Sequence, residues 1–125
     1  MGASNRASDR MDATSDTEMV CAIGVVQALA FGHIASGDPK IALLLLLALE
    51  PFGLNDPRHL RLLAYAYIAA GEPLLALATL DRLGQSSHQT LSLLMRSRAL
   101  LAAGNGRDAQ SAFAAFVADT GKTEP

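Results

Sequence analysis

A single cysteine, Cys21, is all the chain has. An internal disulfide is therefore excluded, which fits a reducing compartment. A lone cysteine in an apolar stretch is expected to pack as a small buried hydrophobe. Charge is also scarce. Charged residues make up 18% of the chain, where soluble domains carry about 25%. The net charge is −2, so no basic field draws the chain to nucleic acid or anionic lipid. Residues 1 to 18 contain Arg6 and Arg10 but no apolar core of a signal peptide. Arg6 also stands where N-myristoylation needs Ser or Thr. These absences point to a cytoplasmic protein.

Catalytic groupings are missing as well. His33, His59 and His88 have no partner four residues away, so no helical metal site forms. Gly104-Asn105-Gly106 lacks the preceding strand and the lysine of a phosphate-binding loop. No Ser/His/Asp or Cys/His set can be assembled, and Glu50 and Glu72 lie at helix ends without a paired carboxylate. Neither an enzyme nor a cofactor or metal is expected.

What the chain has is apolar surface, half of its residues, in a length that suits one domain. The densest stretch is Ile41 to Leu49, IALLLLLAL. At 100° per residue Ala42, Leu45, Leu46 and Leu49 share one broad side with Ile41, and Leu43 and Leu47 fall near the other. A helix that is apolar all round must be covered all round. Nine residues are too few to span a bilayer, which takes roughly 20, so the cover is expected to be protein.

Taken in order, residues 1–18 are polar and without period, and are expected to be a disordered or partner-dependent tail. Helical spacing begins at Met19 and runs through Ile23, Val26, Ala30, Phe31 and Ile34. Gly37 stops that helix, and Asp38-Pro39 opens the leucine-rich one, which ends near Pro51-Phe52-Gly53. Asp56-Pro57 opens a third helix, ended by Gly71. Glu72-Pro73 opens a fourth, which runs to about Leu83. A loop at Gly84 to Ser87 precedes a fifth helix, about Gln89 to Ala103. After Gly104-Asn105-Gly106 a sixth covers Arg107 to about Ala118, and residues 120–125 are expected to fray.

The punctuation is periodic. Gly37, Gly71 and Gly104 lie 34 and 33 residues apart. Five positions after each is an alanine: Ala42, Ala76, Ala109. Four further on come Leu46, Leu80 and Phe113, then Leu49, Leu83 and Phe116. Seven before the glycines are small residues, Ala30, Ala64 and Ser97. This pattern resembles the tetratricopeptide repeat (TPR), a 34-residue pair of antiparallel helices. The small residues let paired helices approach, and the large ones fill the gaps between pairs. The expectation is an all-α domain over residues 19–119. Three TPR-like helix pairs (about 23–56, 57–89 and 90–119) would stack as a short right-handed solenoid.

In that architecture the first helix of each pair lines a concave groove. The resemblance assigns to it Gln27, Phe31 and Ile34, then Arg58, Arg61, Tyr65 and Ile68, then Leu91, Leu94, Arg98 and Leu101. The set is apolar with three arginines and no acid, which suits a partner segment offering apolar anchors and a carboxylate or two. The Lys and Asn pattern with which some TPR proteins grip a C-terminal carboxylate is missing. With Ala42, Leu46 and Leu49 inward, Leu43 and Leu47 are expected to face outward as a convex contact patch. No polar capping helix follows Ala118. The isolated chain is therefore expected to be sticky or a homodimer.

Gly32-His33 leading to Gly37, the Ala42–Leu49 helix, Asn55-Asp56-Pro57 through Arg61-Leu62-Leu63, Gly71 and Ala76-Leu77 carry a narrower likeness. Over about residues 20 to 119 the chain is similar to the small TPR chaperones of bacterial type III secretion, of the SctY/YscY family. The resemblance implies a partner: a small helical export substrate of the SctX/YscX type, kept soluble and presented at the inner-membrane export gate. Two other readings stay open, a needle-subunit co-chaperone and a TPR scaffold unrelated to secretion.

Overall fold

In a computed structural model the chain is described over residues 2–84 and 89–122, with side chains over 15–84 and 90–121. Six α-helices follow one another: α1 (Gly2–Ala35), α2 (Pro39–Leu47), α3 (Pro57–Ala69), α4 (Pro73–Leu83), α5 (Gln89–Ala102) and α6 (Gly106–Lys122). A single 3₁₀ turn, Glu50–Phe52, follows α2. No strand occurs among the described residues. The expected loop at Gly84 to Ser87 falls, after Gly84, outside the described residues, as does His88.

The three periodic glycines do the same work three times. Gly37, Gly71 and Gly104 have φ of +92°, +79° and +85°, a left-handed backbone that costs any side chain with a Cβ. Each closes a helix with one pair of bonds, in which the amide after the glycine donates to a carbonyl five residues back. These are Asp38 to His33 (2.7 Å), Glu72 to Tyr67 (2.8 Å) and Asn105 to Leu100 (2.9 Å). The glycine amides reach Ile34, Ile68 and Leu101. This is the Schellman turn. The amides of Ala42, Ala76 and Ala109 then donate to the carbonyls of Asp38, Glu72 and Asn105 to begin the next helix.

Asp38 and Glu72 make no side-chain cap, and proline at the first position of α2 and α4 removes one unsatisfied amide there. The side chains of Asp56 and Asn105 do cap, accepting from the amides of His59 and Asp108.

Helices pack most extensively as consecutive pairs: α1 on α2, α3 on α4 and α5 on α6. Successive pairs meet through α2 with α3 and α4 with α5, while α3 also neighbours both α1 and α5. The chain is thus all-helical, with a repeat-like succession of packed pairs. Ala30, Ile34, Ala42, Leu46, Leu63 and Ala66 form one buried cluster between the first two pairs. Ala64, Leu80 and Met95 form the second, between the last two. Small residues at Ala30, Ala64 and Ser97 are all buried, as close approach of paired helices requires. Arg82 ties α4 to the 3₁₀ turn, pairing with Glu50 at 3.8 Å and donating to Asn55 Oδ1 at 2.9 Å. Thr90 and Asp119 hydrogen-bond, joining the start of α5 to the end of α6.

Three expectations need correction. Residues 2–18, expected as a disordered or partner-dependent tail, belong to α1, a helix of 34 residues. No proline and no glycine between Gly2 and Gly24 interrupts it, so the helix that packing starts in the body continues outward. At the other end α6 runs to Lys122, with Thr120 Oγ1 donating to the Phe116 carbonyl. Residues 123–125 of the expected frayed end lie outside the described residues. Cys21, expected inside, is exposed, because no described helix covers its side of α1.

Candidate functional site

Side by side, α1, α3 and α5 enclose an open groove of about 520 Å³. Of the residues assigned to it from the repeat, Gln27, Phe31, Arg58, Arg61, Tyr65, Ile68, Leu91, Leu94 and Arg98 line it. Ala28, Leu62 and Met95 line it too. Those three were missed, although each lies one turn or less from an assigned neighbour on its own helix. Two assigned residues are elsewhere. Ile34 is buried in the first core cluster, one turn beyond Phe31 and rotated into the interface with α3. Leu101 is 67% exposed and lines a different cavity, against α6.

The lining is mostly apolar, with Phe31, Tyr65 and Leu91 open to solvent. Three cations break that surface. The ion pairs among the described residues are Arg82 with Glu50 and Arg96 with Asp81, so Arg58, Arg61 and Arg98 have no acidic partner. Arg61 Nη1 is buried without a hydrogen-bond partner. A buried guanidinium nitrogen in that state favours an incoming oxygen acceptor.

Beneath the groove His59 is fully buried. Its Nδ1 lies 3.2 Å from Gln27 Nε2, which links α1 to α3. Burial is the main influence on its titration and pushes it below the usual 6.5; Asp56 and Glu50 pull it back up, and Arg82 pushes it down. No group of three or more His, Cys, Asp or Glu that could hold a metal ion occurs among the described residues.

The exposed leucines of α2 differ from those expected as a convex patch. Leu43 is half-buried and packs against the first core cluster. Leu47 is 40% exposed, and the more open residue is Leu44, at 71%. With Ala42, Leu46 and Leu49 inward, the wheel puts Leu44 opposite them and Leu43 on the flank, where α2 still meets its neighbours. The leucine-rich helix is therefore uncovered along Ile41, Leu44 and Leu47.

One further segment is apolar beyond its cover. Ser15–Ala35 of α1 is, by length and composition alone, long and apolar enough to cross a membrane. No family model, no curated protein and no solved structure matches the chain.

Proposed function

We propose that the chain is a TPR-type binding protein that holds an apolar, carboxylate-bearing segment of a partner in the groove of α1, α3 and α5. One observation carries this reading: an apolar cavity in which three arginines have no acidic partner among the described residues. An apolar groove alone would accept many segments. Cations at its wall add a preference for acidic residues beside the anchors, because the arginines gain charge-assisted bonds there that no described acidic residue supplies.

The narrower reading follows the sequence resemblance. The partner is a small helical export substrate of type III secretion, of the SctX/YscX type. The chain acts in the cytoplasm as its chaperone, keeps it soluble and helps bring it to the export gate. Uncovered leucines on a helix-rich binding protein fit a molecule that works as half of a complex.

Co-expression tests this. A candidate helical export substrate that is insoluble alone becomes soluble with the wild-type chain and stays insoluble with Arg61→Glu. Equal rescue by both proteins places the contact away from the groove, and no rescue by the wild type removes the chaperone reading.

A further inference from the structure

Among the described helices the first and the last pair each leave an apolar face open, and the two faces match each other. On α3 the residues packed into the first pair include His59, Leu63 and Ala66, each at most 1% exposed, flanked by Leu62 and Tyr67. One repeat earlier, the same positions on α1 are Val25, Leu29 and Gly32, flanked by Ala28 and His33. No other described helix covers them. Val25 is 59% and Leu29 52% exposed, and nothing lies within 4 Å of where a Gly32 Cβ would stand. With Ser36 they line an open cavity of about 400 Å³.

The opposite end shows the converse. The positions that receive the next pair are Ile34, Ala42 and Leu46 in the first unit and Ile68, Ala76 and Leu80 in the second. Their equivalents in the third are Leu101, Ala109 and Phe113. Leu46 and Leu80 are 0% and 2% exposed, but Phe113 is 48% exposed and Leu101 67%. With Ser97 these three line an open cavity of about 580 Å³ against α5 and α6. The surface is a seat for the first helix of another pair.

We propose that the occupant of this seat is α1 of a second copy of the chain, packed head to tail as α3 packs on α1 and α2. The repeat itself argues for that occupant. Among the described helices, α1 is the first-of-pair helix whose docking face is free, and its Leu29 and Gly32 hold the positions that Leu63 and Ala66 hold where α3 is seated. From Met19 to Gly32 the helix carries no Asp, Glu, Lys or Arg, so no like charge or unpaired charge opposes burial of that face. Gly32 and Ala28 permit the backbones to come close. The contact joins two different surfaces, so each added copy leaves one end free, and association grows with concentration rather than stopping at a closed dimer unless a ring forms.

Two variants, each altered in one face, test this. Leu29→Glu spoils the α1 face and Leu101→Glu spoils the α6 seat; neither residue lines the groove, and both are exposed. By light scattering and sedimentation the wild type rises above its monomer mass of 13.1 kDa as concentration increases. Each variant alone stays at the monomer mass, and an equimolar mixture gives a complex of two chains and no larger. Self-association of Leu101→Glu alone means α1 pairs with α1, and that of Leu29→Glu alone means α6 pairs with α6; either overturns the proposal. So do a wild type that is monomeric throughout, a mixture that stays monomeric, and a wild type whose α1 enters phosphatidylcholine vesicles instead. Circular dichroism checks each fold, and Val25→Glu and Phe113→Glu replace a variant that fails that check.

Discussion

Gln27 on α1 and His59 on α3 are joined, amide Nε2 to imidazole Nδ1, at 3.2 Å across the boundary between the first two helix pairs. With the amide donating, Nδ1 accepts and the ring proton is assigned to Nε2, a buried atom with no partner. The neutral ring fits this place. A protonated ring would present a second N–H to the Gln27 amide and add charge inside the stack.

Stability should therefore depend on pH below neutrality. Burial lowers the folded-state pKa of His59 below its ordinary 6.5. The unfolded chain then binds more protons in that range, so stability is full above 6.5 and is lost as pH falls below it through the folded value. Urea midpoints taken from about pH 7.5 down to about pH 5 should decline in the wild type and decline less in His59→Leu. Equal slopes in both proteins would assign the decline to other groups.

The turn glycines should resist substitution for a backbone reason alone. Gly71 has φ +79° and nothing within 4 Å of the added Cβ, so Gly71→Ala meets no clash. The left-handed backbone still costs about 1–2 kcal/mol. A matching drop in unfolding free energy is the expected result, with no change in helix content by circular dichroism.

The leucine-rich helix should respond by direction. Leu46 is fully buried and Leu44 is 71% exposed. Leu46→Ala should cost about 2–5 kcal/mol, and Leu44→Ala about 0.5 kcal/mol or less. Leu43→Glu belongs with the first, since Leu43 packs on the core cluster; its effect should appear as unfolding rather than as a loss of binding alone.

In the groove, Tyr65→Ala and Arg61→Glu should each weaken a bound acidic segment about tenfold, or about 1.4 kcal/mol. Affinity should also fall as salt is raised from low to physiological strength, because Arg58 and Arg98 remain accessible to ions. Titration calorimetry of wild type and variants at two salt concentrations measures both effects.

Much of this architecture was legible because glycine is. Gly37, Gly71 and Gly104 announce a backbone that other residues avoid, and the alanines five positions on announce close helix contacts. Together they fix the phase, and the phase led to Phe31, Arg58, Tyr65, Leu94 and Arg98, which share one cavity. What escaped depends on neighbours. Nothing at Leu101 itself reveals that the position buried in Ile34 is here left exposed, with no further described helix packed on it. Leu43 and Leu44 differ by one step on a helix that is apolar all round, so the wheel gave no polar stripe to orient it. Residues 2–18 carry no period to mark helix, yet no breaker separates them from α1. Cys21 escaped for the same reason as Leu101, since no described helix covers its side of α1.

The most direct measurement is hydrogen exchange on the chain with and without its bound partner segment. Protection should rise on the groove helices, over residues 27–31, 58–68 and 91–98, with α2 and α4 unchanged. Protection concentrated on α2 around Leu44, with the three groove helices unchanged, would contradict the groove as the binding site.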